Sequence, residues 1–190
     1  MSIKVSELGK GVTIEYNGEL FVIEEYSHMK KAQRRPVAQT KLRNLSTGKV
    51  FNQNIVDGDP VKIVRLEERP LQYLYNAGDE YHFMDSTSYD QFALTKEQLG
   101  DAVYYLKENL ELRGLFYEGK MVRVELPITV ELKVVETMPG VRGDTATGGE
   151  KPAKLETGLQ VKVPLFVKEG DIVRVDTRTG EYVKIVSKAN

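Results

Sequence analysis

Short β-prone runs joined by tight turns recur along the whole of this chain, and no other feature limits its fold so strongly. Val12-Thr13-Ile14-Glu15-Tyr16 meets Asn17-Gly18 and continues as Glu19-Leu20-Phe21-Val22-Ile23. Asn-Gly between β-rich runs favours a type I′ hairpin, because both central residues need positive φ. Leu71-Gln72-Tyr73-Leu74-Tyr75 and Glu80-Tyr81-His82-Phe83-Met84 flank Asn76-Ala77-Gly78-Asp79 in the same way. So do Leu115-Phe116-Tyr117 and Lys120-Met121-Val122-Arg123-Val124 around Glu118-Gly119. A last pair, residues 171–176 and 181–186, surrounds Thr179-Gly180. Strand signals spread this evenly predict an all-β protein. About 60 residues suffice for one small barrel, so 190 residues accommodate three in series.

One stretch departs from the pattern. Thr95 and Gln98 have capping-box spacing, and Leu99, Ala102, Val103, Leu106 and Leu110 follow at helical intervals. Residues 95–112 therefore predict one or two short helices inside a β domain. Turn-rich seams near 57–70 and 127–130 divide the chain into residues 1–65, 66–128 and 129–190.

Composition narrows the chemistry. Cysteine is absent and only His28 and His82 represent histidine, so disulfides and Cys/His metal sites are not expected. No apolar run approaches the roughly 20 residues that span a bilayer. The first residues lack the apolar core of a secretory signal. The expectation is a soluble cytoplasmic protein without metal, cofactor or small-molecule substrate, and without a membrane partner.

The chain holds 27 basic and 28 acidic side chains, a net charge of −1. That total conceals segregation. Residues 1–65 carry 11 basic and 7 acidic groups, residues 66–128 carry 6 and 12, and residues 129–190 carry 10 and 9. Residues 26–49 contain seven Lys/Arg and no Asp or Glu. Lys30, Lys31, Ala32, Gln33, Arg34, Arg35 and Pro36 lie between two strand-like runs, and so predict the tip of a projecting hairpin. Cations gathered there repel one another unless a polyanion neutralises them through phosphate contacts and counterion release. The plainer alternative is a solvated loop. The acidic middle segment is not expected to face nucleic acid.

Other candidates are weaker. Met138 to Pro152 is glycine-rich, but it lacks the Gly-Lys-Ser/Thr of a phosphate-binding P-loop. It reads as a connector or as a loop whose amides approach a ligand. Asp79/Glu80 and Glu67/Glu68 sit beside turns, and no spacing selects a catalytic pair. No nucleophile–base set is present, so an enzyme is not expected. His82, in an aromatic strand, reads as structural. His28, at the root of the basic hairpin, reads as a packing or hydrogen-bonding residue.

Longer motifs carry a resemblance. Gln72-Tyr73-Leu74-Tyr75 precedes Tyr81-His82-Phe83-Met84-Asp85. Pro139-Gly140-Val141-Arg142-Gly143-Asp144-Thr145 precedes Lys151-Pro152-Ala153 and Leu155-Glu156-Thr157-Gly158. Val161-Lys162-Val163-Pro164-Leu165-Phe166-Val167 and Val175-Asp176-Thr177-Arg178-Thr179-Gly180-Glu181-Tyr182 follow. In this order the chain resembles the bacterial translation elongation factor P family over its whole length.

The resemblance implies a KOW-like, SH3-type N-terminal barrel and two OB-type barrels in an elongated, tRNA-like arrangement. It implies a monomer that binds the 70S ribosome, its ribosomal RNA and peptidyl-tRNA between the P and E sites. There the family relieves stalling at consecutive prolines by positioning peptidyl-tRNA. The hairpin tip, Lys30 to Arg35, would reach the tRNA acceptor end, and Gly143-Asp144-Thr145 would lie near the exit-site codon. One departure stands out. The family's tip commonly reads Lys-Pro-Gly-Lys-Gly or a Gly-Arg-Gly variant, with a modified central cation. Gln33 occupies that position here, between Ala32 and Arg34, and cannot take a lysine- or arginine-type modification, so an unmodified tip is expected. The alternative is a paralogous ribosome- or RNA-binding factor with other stalling clients.

Overall fold

The computed structural model describes residues 3–30, 32–140 and 149–190. After a short 3-10 turn at Val5–Glu7 come β1 (Thr13–Tyr16), β2 (Glu19–Met29), β3 (Val37–Asn44), β4 (Val50–Val56) and β5 (Val61–Ile63). β6 (Glu67–Ala77), β7 (Glu80–Asp85) and β8 (Gln91–Thr95) lead into the helix α1 (Lys96–Leu99) and a 3-10 helix at Gly100–Tyr105. β9 (Glu111–Tyr117), β10 (Lys120–Glu125), β11 (Thr129–Thr137), β12 (Glu150–Leu155), β13 (Gln160–Pro164), β14 (Ile172–Asp176) and β15 (Tyr182–Ser187) complete the described chain.

These strands form three five-stranded antiparallel sheets, ordered β4-β3-β2-β1-β5, β10-β9-β6-β7-β8 and β13-β12-β11-β14-β15. In the second and third sheets the first strand is central, and the outermost strands approach each other, β10 towards β8 and β13 towards β15. That topology and curling are those of a partly open OB-type barrel. The all-β expectation therefore holds, with three sheets in series.

Local chemistry explains the hairpins. Asn17 and Gly18 have φ of +51° and +78°, and Glu118 and Gly119 have +50° and +80°, the left-handed pairs that a type I′ turn demands. The third hairpin is tighter than the sequence suggests. Asn76 and Ala77 still pair with Tyr81 and Glu80, leaving only Gly78-Asp79 as the turn, with Gly78 at φ +60°. The helical stretch is shorter than expected. The Thr95/Gln98 capping box is present in both directions. Gly100, at φ +59° and ψ −135°, then ends α1; the helical turns stop at Tyr105, and Leu112 belongs to β9. Glu67 to Pro70, read as part of a seam, begin β6, where Pro70 opposes Arg113.

Each sheet closes on its own core. Ile14, Ile23, Ala38 and Leu42 are fully buried in the first. Leu71, Phe83 and Phe116 anchor the second, and Leu132, Leu155 and Val163 the third. Removing most of such a side chain costs about 2–5 kcal/mol.

The units are also fastened together. Val22 and Leu45 of the first pack with Val122 of the second, flanked by Leu20, Leu66 and Tyr117. Arg43 Nη1 donates to the carbonyls of Gly48 (3.1 Å) and Glu97 (3.3 Å), and its Nε donates to the Glu24 carboxylate. Arg123 Nη1 reaches back to the Gly11 carbonyl at 3.1 Å, and Gln98 Nε2 donates to the Leu45 carbonyl at 3.1 Å. Towards the third unit, Tyr105 joins the buried cluster that includes Val130, Leu132 and Val175.

Candidate nucleic-acid interface

The hairpin is set up by a mismatch between strand length and barrel depth. β2 is 11 residues long, and its burial is concentrated at Phe21, Val22 and Ile23, while Ser27, His28 and Met29 are exposed. A bulge between Ile23 and Glu25 shifts the register where the strand leaves the core. Pairing nonetheless continues to Met29↔Val37. β4 backs β3 over the same length, from Arg43↔Val50 to Val37↔Val56. Three hydrogen-bonded strands thus carry a polar ribbon beyond the barrel.

Lys30, Ala32, Gln33, Arg34 and Arg35 lie at its end and all are exposed. Lys31 lies outside the described residues. Gln33 adopts φ +72°, a left-handed backbone that favours glycine. The tip bends at Gln33 as a glycine would, although Ala32, Gln33 and Arg34 all carry side chains.

The ion pairs separate tip from root. Lys41 pairs with Glu25 at 3.5 Å and Arg43 with Glu24, both nearer the barrel. Among the described residues no carboxylate pairs with Lys30, Arg34 or Arg35. A cation without an internal partner remains available to an external anion. Below the tip, Ser27, Gln39, Asn52 and Asn54 line a shallow polar groove with Glu25, Tyr26, Thr40 and Lys41. Sequence reasoning misses the Asn52 and Asn54 pair. Their spacing of two in β4, which puts both amides on one face, is the signal that marks them. His28 differs from its expected place: it sits on the outer half of β2, opposite Ala38 and exposed, rather than packed at the root. His82 is structural as expected, stacked on Tyr75 with ring centroids 4.7 Å apart and 3.6 Å from Glu80.

Gly143, Asp144 and Thr145 lie outside the described residues. The described residues on either side of that segment meet at a buried cation. Lys151 is 5% exposed, and its Nζ donates to the Met138 carbonyl at 2.5 Å. Thr137 Oγ1 donates to the Pro152 carbonyl at 2.9 Å. Gly140 passes so close to Leu165 that a Cβ would meet its carbonyl oxygen at 2.5 Å. Both ends of the glycine-rich segment are therefore held against the third barrel. Among the described residues no cluster of three or more His, Asp or Glu is placed to hold a metal, and no helix is long and apolar enough to cross a membrane.

Comparison with known proteins agrees with this architecture. Residues 4–61 match the elongation factor P KOW-like domain, residues 66–124 the elongation factor P OB domain, and residues 130–184 the elongation factor P C-terminal domain. The chain is 47% identical to elongation factor P of Thermodesulfovibrio yellowstonii over 98% of its length and all of that protein. It is 50% identical to elongation factor P of Carboxydothermus hydrogenoformans, over 97% of this chain and 100% of the other. Elongation factor P of Dictyoglomus turgidum is also 50% identical, over 96% of this chain and 98% of its own.

Proposed function

The chain belongs to the elongation factor P family, a family of translation elongation factors, and from that premise we propose that it binds the ribosome between the P and E sites and speeds peptide-bond formation at consecutive prolines. The observation that carries this reading is the cluster of exposed cations, Lys30, Arg34 and Arg35, without an ion-pair partner among the described residues, at the end of a strand-supported hairpin. Phosphates of the peptidyl-tRNA acceptor end and of ribosomal RNA are the matching partners. The residue units 1–65, 66–128 and 129–190 divide the work. The first presents the hairpin, the second spaces it, and the third presents Gly143-Asp144-Thr145 towards the exit-site codon.

The factor acts by position rather than by reaction. Proline is a poor and conformationally restricted participant in peptide transfer. Holding the tRNA end in a productive geometry lowers the entropic part of the barrier, and the ribosome supplies the bond-making groups. Gln33 takes part unmodified: its amide and the flanking Arg34 and Arg35 guanidinium groups, planar multi-donor forks, replace the extended cation of the family. Intact-mass measurement of the natively expressed protein is expected to return the mass of the bare sequence. An adduct on Lys31 or Arg34 would contradict the unmodified tip.

The Gln33 tip also supports a second reading, a related factor with different stalling clients. Ribosome profiling with and without the protein separates the two. Pauses confined to proline runs support the first, and pauses at another motif support the second.

A further inference from the structure

A second exposed surface, remote in sequence from the hairpin, is built on the turn between β7 and β8. Asp85 is buried, and one of its carboxylate oxygens accepts from the backbone amides of Thr87 (2.8 Å) and Ser88 (3.1 Å). Those amides hold its carboxyl below the ordinary carboxylate range. The Asp85 amide donates to the Asp90 carbonyl at 2.8 Å, the Tyr89 amide to the Asp85 carbonyl at 2.9 Å, and the Ser86 amide to the Pro70 carbonyl at 2.9 Å. The turn is thereby cross-braced and tied to β6.

Where the turn closes, one residue before Asp90, stands Tyr89, with φ +63° and 70% of its surface exposed. Among the described residues its ring stacks on no other ring, and its hydroxyl has no hydrogen-bond partner. A left-handed backbone costs a non-glycine residue about 1–2 kcal/mol, and an exposed ring gains nothing from burial. Glycine would suit the backbone and a small polar residue would suit the solvent, so folding does not account for tyrosine here. A solvent-facing aromatic ring on a braced turn is suited to anchor an interface.

The surroundings select the partner. Asp90 follows the ring. Ser86, on the same turn, lines a groove floored by Leu126, Pro127 and Ile128 and edged by Glu111 and Glu125; Ile128 is 61% exposed. The one cation lining this groove, Arg113, is already drawn to Glu68 at 2.9 Å. Residues 66–128 as a whole carry 12 acidic against 6 basic side chains. Such a surface repels a polyanion and attracts a basic protein. We propose that Tyr89 and the acid-edged groove that Ser86 of the same turn lines form a docking site for a basic protein segment. An Arg or Lys side chain lies over the Tyr89 ring and against Asp90, and an apolar neighbour covers Ile128. The site rests on the ribosomal reading above, since the ribosome offers basic protein surfaces as well as RNA.

The test uses the full chain with p-benzoylphenylalanine in place of Tyr89, bound to salt-washed 70S ribosomes and irradiated. The expected crosslink is to protein, within a Lys- or Arg-containing segment. A crosslink to ribosomal RNA alone, or none from bound chain, overturns the proposal. Tyr89→Gly keeps the left-handed backbone and removes the ring. Its thermal midpoint is expected to stay unchanged while ribosome affinity falls about tenfold. Tyr89→Phe should bind as the wild type does, and equal affinity for Tyr89→Gly would contradict the site. An arm without ribosomes keeps the two readings distinct. An arginine-rich peptide titrated into the chain should shift the amide signals of Tyr89, Asp90 and Ile128, and shifts confined to other regions would contradict the docking site. Failure of the wild-type chain to bind ribosomes would instead defeat the ribosomal reading.

Discussion

Gln33 and Tyr89 are two non-glycine residues held at positive φ, one at the basic tip and one on the acidic barrel. Their side chains sit against a backbone preference, and the proposals above give each a task beyond folding. At Gln33 this gives a direct prediction. Gln33→Gly should fold with unchanged or slightly higher stability, whereas Gln33→Val, β-branched at φ +72°, should lose about 1–2 kcal/mol. Chemical denaturation of the two variants checks it. Arg34→Ala should leave stability unchanged, because among the described residues Arg34 has no ion-pair partner, and should weaken ribosome binding. The slope of log affinity against log salt should become shallower by about 0.7–0.9 for each phosphate that Arg34 neutralises in the wild type. The cations of the tip were legible in the sequence because charge is a property of residue type. The left-handed conformations were not. Neither Ala-Gln-Arg nor Ser-Tyr-Asp carries the Gly that signals positive φ, and the conformation is imposed by the strands and by Asp85.

At the scale of elements, hairpins with Asn-Gly and Glu-Gly turns were readable because the turn residues themselves supply the required φ. The helical segment was readable at its start, where the capping box is local, and misjudged at its end. Leu106, Leu110 and Leu112 keep apolar spacing for three different reasons: the end of a 3-10 turn, a loop and a strand. Contacts between units were not readable at all. Gly48, at φ +75°, passes so near α1 that a Cβ would lie 2.1 Å from the Glu97 carbonyl oxygen. Gly48→Ala should therefore push the β3–β4 turn away from the central barrel, with a loss of about 1–3 kcal/mol, seen as a lower denaturation midpoint. The turn between β14 and β15 predicts a pH dependence. Arg178 hydrogen bonds and the Arg178 backbone amide lower the Asp176 carboxyl from 3.8 to about 2. A folded-state pKa below the ordinary value means that the stabilisation is complete above pH 3.8 and is lost as pH falls towards 2. Amide exchange at position 178 should rise over that interval, and Arg178→Ala should narrow the dependence to the part held by the backbone amides of residues 178 and 179.

Across the whole molecule, charge is divided by surface. The basic hairpin and the acidic central barrel nearly cancel in a net of −1, yet they suit different partners in the proposals above: phosphate for the first and basic protein for the second. Arg43, Arg123 and the Val22–Leu45–Val122 cluster join the first two barrels, so that the hairpin has a fixed offset from the central barrel. Order along the chain was legible as three runs of strands. The offset was not, because it depends on single side chains crossing between distant segments. The most direct test of the positioning role is the rate of peptide-bond formation on purified ribosomes with recombinant protein whose mass equals that of the bare sequence. The account predicts faster synthesis through three consecutive prolines, no change on a proline-free message, and loss of the acceleration with Arg34→Ala. Equal rates on the proline run with and without the protein would contradict it.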